Sequence, residues 1–165
     1  SNHQTGRKLP LKFRFDVAMS GRLGMEIQPK NMSDSDKAFA KRAIESYKKI
    51  RPVVQFGDLY RLVSPYENKG IVSLMYASED KNRAVLFAYK TEHMIYRIME
   101  NVKLSGIDVN KKYKITDLTA QDEDKPSPLN GKIISGKVLK ESGLSVYSSL
   151  RSEYSSLVIE LEAVE

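Results

Sequence analysis

The sequence predicts an α+β fold in two unequal parts. Two helices flank one short strand in residues 1–56, and short strands separated by turns fill residues 57–165. The helices carry apolar residues at helical spacing, and the strands carry apolar residues that alternate with polar ones. Several short strands at this spacing are typical of an antiparallel β-sandwich.

The first part is predicted to fold as helix, strand, helix. Pro10 suits the first turn of a helix, and apolar residues recur at helical spacing until Gly21 ends the stretch. In residues 22–28, Leu23 and Met25 belong to an alternating pattern that indicates a short strand.

The second helix has the strongest pattern in the chain. Ser33 and Asp36 resemble a capping box, and Pro52 is predicted to limit the helix to residues 33–50. One side of this helix is apolar, at Phe39, Ala43, Tyr47 and Ile50.

The second part is predicted to contain strands joined by turns. The segment 121–131 is charged and is predicted to be an exposed turn. Each remaining segment is predicted to hold one strand: 59–65, 70–80, 82–90, 95–106, 106–118, 132–146 and 155–164.

The single strand at 22–28 raises a question about completeness. A strand between two helices pairs with parallel neighbours that are reached through crossover helices. Residues 1–21 supply no such neighbour. We therefore expect this chain to be the C-terminal end of a larger protein.

Composition excludes several classes of protein. The hydrophobic content of 41% and charged content of 29% are those of a globular domain, and no apolar run approaches a membrane span. With no cysteine, there is neither a disulfide nor a Cys-ligated zinc, which fits the cytoplasm or a disulfide-free periplasmic protein. The net charge of +6 is scattered among acidic residues, so no membrane or nucleic-acid partner is expected.

Four stretches in order carry a resemblance to a known family. They are NHQTGR, FRFDVAMSGRLGMEI, YKKIRPVVQFGDLYRLVSP and LMYASEDKNRAVLFAY, and SGKVLKESGLSV adds a weaker fifth. Together they resemble the bacterial α-galactosidases of glycoside hydrolase family 36. The resemblance implies that residues 1–56 are the last helix-strand-helix of a (β/α)8 catalytic barrel. Residues 57–165 would be the C-terminal antiparallel β-sandwich domain.

The same resemblance implies an activity for the parent protein and a location for its chemistry. The family hydrolyses terminal α-galactosyl groups of raffinose- and melibiose-type oligosaccharides with retention of configuration. Its two catalytic aspartates come from earlier barrel strands, so no catalytic residue is expected in this chain. The chain alone should be inactive, with the rest of the barrel as its partner and no cofactor.

The best candidates for substrate contact lie in loops at the ends of barrel strands. Under the resemblance, the NHQTGR loop follows the seventh strand, and active sites of such barrels lie at this face. Asn31 is a weaker candidate after strand eight. The other four candidates are His3, Gln4, Thr5 and Arg7. Their alternative role is to brace loops or an oligomer contact.

Other polar residues are expected to have structural roles. Asp16 is predicted on the polar face of its helix, and Glu26 in the barrel wall or at its rim. His3 and His93 lack the spacing of metal ligands, so no metal site is expected.

Two alternative functions remain open from the sequence. Tyrosines along the strands would suit a stand-alone carbohydrate-binding β-sandwich module, although alternating aromatics more often pack in a core. The second alternative function is that of a basic protein that binds nucleic acid. Without the barrel, the apolar faces of the two helices would need cover from the sandwich, from each other or from a second copy, so self-association is expected.

Overall fold

The computed structural model describes residue 6 and residues 8–24, 28–67, 70–91 and 100–165. The loop candidates at 3–5 and 7 lie outside these ranges, and so do residues 95–99 of the predicted 95–106 strand. The rest of that segment, residues 100–106, forms only an isolated bridge at Val102, so the strand predicted there is wrong for these residues. The predicted strand at 22–28 has its centre, residues 25–27, outside them as well, and Arg22–Gly24 are irregular. That strand therefore stays a prediction.

Three α-helices occur in the described residues: α1 (Leu11–Met19), α2 (Asp34–Phe56) and α3 (Gly136–Glu141). Ser33 caps α2 as predicted, because its Oγ accepts a hydrogen bond of 3.1 Å from the backbone N–H of Asp36. Within the part of the chain that the structure describes, no helix combines the length and apolar character needed to cross a membrane.

The predicted end of α2 at Pro52 is wrong, because the helix runs on to Phe56. A proline inside a helix costs about 3 kcal/mol. The extra turn buries Val53 and Val54, and full burial of one such side chain contributes roughly 1.5–3 kcal/mol. Burial of two valines therefore offsets the proline, whose ring lies exposed at the surface.

In the described ranges, six strands form one antiparallel sheet in the order β1-β2-β3-β6-β4-β5. The strands are β1 (Asp58–Val63), β2 (Ile71–Ala77), β3 (Arg83–Lys90), β4 (Lys112–Asp117), β5 (Ile133–Ser135) and β6 (Ser155–Val164). Each lies inside or within one residue of a predicted strand segment, so the antiparallel β domain is confirmed. The last strand of the sequence, β6, pairs with both β3 and β4 at the centre of the sheet.

The short helix α3 was not predicted from the sequence. Its six residues are too few for a helical period to stand out, and it begins at Gly136. The Ser135 hydroxyl caps it by accepting a 3.3 Å hydrogen bond from the Val138 N–H.

The two faces of the sheet are covered by different layers. Alternate residues of β6 point to opposite faces, with Val158 on the helix side and Ile159 on the other. The second face is covered by α3 and by irregular segments, through Val102, Leu104, Leu129, Leu139, Leu144 and Leu150.

The apolar sides of α1 and α2 are buried against the face of the sheet that carries Val158. Phe39, Tyr47 and Ile50 of α2 share one buried cluster with Phe87 and Val158 of the sheet. Phe15 of α1 meets Phe39 edge to face, with ring centroids 5.8 Å apart. Two of the covers expected from sequence therefore occur together: the sheet of this same chain and the packing of the two helices on each other.

Candidate functional site

Of the five predicted substrate-contact residues, Asn31 alone lies in the described part of the chain. It ends an exposed 3-10 turn, Pro29–Asn31, and its backbone N–H donates to the carbonyl of Gln28 at 3.0 Å. Its side-chain Nδ2 donates to Gln28 Oε1 at 3.3 Å. The side chain therefore supports its own turn and remains exposed. His3, Gln4, Thr5 and Arg7 stay predictions.

Asp16 does not lie on a solvated face, and that prediction is wrong. Its side chain is fully buried between α1 and the sheet. Oδ2 accepts hydrogen bonds from Lys12 Nζ at 2.5 Å and from Ser156 Oγ at 2.6 Å. Lys12 Nζ also donates to Thr119 Oγ1 at 2.9 Å. One carboxylate thus joins α1, β6 and the segment after β4.

Two opposing effects act on the pKa of Asp16. Burial raises the pKa because it disfavours the charged form, whereas the neighbouring Lys12 and the hydrogen bonds lower it. Burial is the larger effect, and the pKa is raised overall. The second carboxylate oxygen, Oδ1, is buried and has no hydrogen-bond partner among the described protein groups.

The other buried carboxylate, Glu160, ties the sheet to α2. Arg83 Nε donates to Glu160 Oε1 at 3.0 Å, and its Nη2 reaches both that oxygen and the Lys49 carbonyl, the latter at 3.1 Å. Asp16 and Glu160 are therefore each paired with a cation of their own. Both carboxylates therefore hold structural contacts, whereas retaining glycoside hydrolysis uses two carboxyl groups about 5–5.5 Å apart.

Tyrosine hydroxyls stabilise the C-terminal end of α1. The last carbonyls of a helix lack partners within it. Tyr89 donates to the Asp16 carbonyl at 3.0 Å, and Tyr76 donates to the Ser20 carbonyl at 2.8 Å. Tyr47 of α2 donates to the Gly21 carbonyl at 2.8 Å.

Most of the aromatic residues considered for sugar stacking are structural. Phe87 and Tyr113 are fully buried, and Tyr113 donates its hydroxyl to the Lys81 carbonyl at 2.8 Å. Tyr76 and Tyr89 hold α1 in place. Tyr66 is 95% exposed, whereas Tyr96 falls outside the described residues.

A pocket of about 370 Å³ opens beside the Asp16 cluster. Its walls come from α1, from the loop between β4 and β5, and from the segment that leads into β6. The polar lining includes Lys12, Asp117, Gln121, Ser127, Ser149 and Ser156. In the described ranges, no group of three or more His, Cys, Asp or Glu side chains could hold a metal ion.

Comparison with models of protein families identifies the family of this chain. The model of the glycosyl hydrolase family 36 C-terminal domain matches residues 71–161, and the Melibiase model matches residues 1–57. The chain belongs to glycosyl hydrolase family 36.

Family members of known structure share the arrangement of the whole chain. The α-galactosidase AgaA of Geobacillus stearothermophilus, in a complex with raffinose, is 30% identical with a TM-score of 0.83. The α-galactosidase of Lactobacillus brevis is 25% identical with a TM-score of 0.82. Each match covers 99% of this chain and 21% of the other, so α1 and α2 take the family's arrangement on the sheet.

The relatives found by sequence are named as α-galactosidases, as the similar structures are. A probable α-galactosidase G of Aspergillus terreus is 32% identical over 98% of this chain. That alignment covers 20% of the fungal protein, and the chain spans about a fifth of the length of the relatives it matches in full.

Sequence reasoning missed the buried polar groups. The four-residue spacing of Lys12 and Asp16 was a usable signal, because it places both on one face of a helix. Glu160 gave a second signal, since it alternates with Ser156 and Val158 on one side of β6. The pocket forms because the fold brings residues 12 and 156 together. The local sequence pattern around either residue does not predict this contact.

The raised pKa of Asp16 predicts how pH affects stability. Because the folded protein holds this proton more tightly than the unfolded chain, the stabilising effect of protonation is present at low pH. It is lost as pH rises from about 4 through the folded pKa. The free energy of unfolding, relative to Asp16→Asn, should therefore fall as pH rises in this window. Urea unfolding at a series of pH values measures it.

Lys12→Met provides the matched arm of that experiment. Removing the lysine leaves burial unopposed, which raises the Asp16 pKa further and extends the declining window to higher pH. Stability that rises with pH across the window, relative to Asp16→Asn, would show that the ion pair outweighs burial and would contradict the account.

Proposed function

We propose that this chain is the C-terminal portion of a family 36 α-galactosidase. The whole protein would release terminal α-galactosyl groups from raffinose- and melibiose-type oligosaccharides with retention of configuration. One observation carries the proposal: the chain matches raffinose-bound AgaA over 99% of its length with a TM-score of 0.83. A related AgaA structure holds stachyose, a larger oligosaccharide, and matches with a TM-score of 0.80.

Within the whole protein, residues 1–56 would complete the (β/α)8 barrel and residues 57–165 would form the C-terminal domain. The separate matches of two family models, to residues 1–57 and 71–161, support this division. The end of α2 at Phe56 and the start of β1 at Asp58 fit the same boundary.

The catalytic carboxylates would come from the part of the protein outside this chain. Retaining hydrolysis needs two carboxyl groups about 5–5.5 Å apart, one as nucleophile and one as acid/base. The buried carboxylates of the described residues are each held in an ion pair with a structural role. The loop with His3, Gln4, Thr5 and Arg7 would face the substrate, with Asn31 nearby.

The chain would contribute to catalysis by holding these loops in place. The loop of residues 1–10 leads directly into α1, and α1 is fixed to the sheet through Asp16. A displacement of about 1 Å in a supporting segment can reduce turnover about 100-fold. The sheet would therefore determine the geometry of one edge of the active site.

A graft tests the proposed function. AgaA in which the matched segment is replaced by this chain should hydrolyse a nitrophenyl α-galactoside and raffinose with kcat/KM within about 100-fold of intact AgaA, because the shared fold restores the barrel edge. AgaA truncated before this segment, and the chain alone, should show no turnover. NMR of the first product formed should show the α-anomer of galactose.

Two results would contradict the proposal. One is turnover by the chain alone that disappears when one of its own residues is changed. The other is a graft that unfolds in a single cooperative transition at the stability of AgaA yet hydrolyses neither substrate. The unfolding measurement separates a wrong function from a misfolded graft.

We also propose that the isolated chain self-associates through its helical layer. The buried side of α2 is covered by the sheet, but Val17 and Phe56 remain 46% and 86% exposed. Sedimentation at micromolar concentrations should show a dimer or larger species that Phe56→Ser shifts to monomer. Tyr66→Ser, which removes an exposed aromatic outside the helical layer, should leave it unchanged. A monomer throughout the concentration range would contradict this.

A further inference from the structure

We propose that the pocket between α1, the loop after β4 and the start of β6 binds a neutral hexose. Its volume of about 370 Å³ lies in the range of small-molecule sites. The site would bind a sugar through this chain's own residues, whether or not the whole protein is an α-galactosidase.

The walls of the pocket are fixed before any ligand arrives. Asp117 uses both carboxylate oxygens to hold the loop, with Oδ1 accepting from the Thr119 N–H at 3.2 Å and Oδ2 from the Ser127 N–H at 2.8 Å. The Ser127 and Ser149 hydroxyls lie 2.8 Å apart and join the loop to the segment before β6. A site with fixed walls loses little entropy on binding.

The charges around the pocket favour a neutral ligand over an anion. Lys12 is paired with the buried Asp16, and Lys125 Nζ lies 3.7 Å from Asp122 Oδ2. Arg151 Nε donates to the Ser148 carbonyl at 3.1 Å. Both lysines thus lie beside a carboxylate, and Arg151 holds its own segment through one guanidinium N–H. Asp117 adds a negative charge to the lining, which disfavours an anion.

The remaining lining groups suit a polyhydroxylated molecule. In the described part of the chain, the Ser148 hydroxyl and the Gln121 side-chain amide form no hydrogen bond with the protein. Both offer donors and acceptors to sugar hydroxyls. Pro126 and Pro128, both exposed, provide apolar surface for the C–H groups of the ring. Because no aromatic side chain for stacking occurs among the described residues of the lining, we expect a Kd in the millimolar range.

The test is an NMR titration of the 165-residue chain with D-galactose, and separately with inorganic phosphate. Galactose should give saturable shifts of backbone amides in residues 117–128 and 147–157, whereas phosphate should give none there. The double variant Gln121→Ala, Ser148→Ala should weaken galactose binding at least about 10-fold, since it removes two groups that have no structural partner. The control is the double variant Gln55→Ala, Ser105→Ala, whose positions are exposed and lie outside the pocket. It should bind galactose as tightly as the unsubstituted chain.

Three results would overturn the site. They are no saturable shift with galactose, saturation by phosphate but not galactose, and galactose binding that survives in a double variant with an unchanged amide spectrum elsewhere. A graft that hydrolyses raffinose while the chain fails to bind galactose would remove this site and leave the proposed function intact. Galactose binding by the chain together with a folded but inactive graft would keep this site and contradict the proposed function.

Discussion

The helix-facing side of β6 is the constraint on which the rest of the structure depends. Three alternate residues of this strand meet both helices: Ser156 reaches Asp16 of α1, Val158 packs in the apolar cluster, and Glu160 meets Arg83, which also reaches α2. A buried hydrogen-bonding group that loses its partner costs about 1–3 kcal/mol. The two polar contacts therefore restrict where the helices can lie, whereas the apolar contact between them supplies most of the attraction.

A chain that spans a fifth of the length of its relatives can therefore keep a buried core for its two helices. The helices that would end the barrel do not depend on the barrel for a core, because their apolar side is buried on the sheet of the same chain. Tyrosines from β2, β3 and α2 also satisfy carbonyls at the end of α1. The C-terminal sheet thus acts as the platform on which α1 and α2 are fixed.

Element type was predictable wherever local pattern was strong. The alternation in β2 and β6, and the cap at Ser33, gave strands and a helix start that the structure confirms. The end of α2 was not predictable from local rules, because burial of Val53 and Val54 on a distant sheet outweighs the preference of Pro52. The role of Asp16 was missed for a similar reason: its partner Ser156 lies 140 positions away. Residues that depend on tertiary neighbours cannot be assigned from their own segment.

Hydrogen exchange of the native chain tests most directly whether the helices and the sheet form one unit. If α2 is held by the sheet as described, its central amides, around Ala43 and Tyr47, should exchange through the same global opening as those of β3 and β6. Their opening free energies and their urea dependence should then match. Exchange of α2 through a local opening, at lower free energy and independent of urea while the sheet stays protected, would contradict the account.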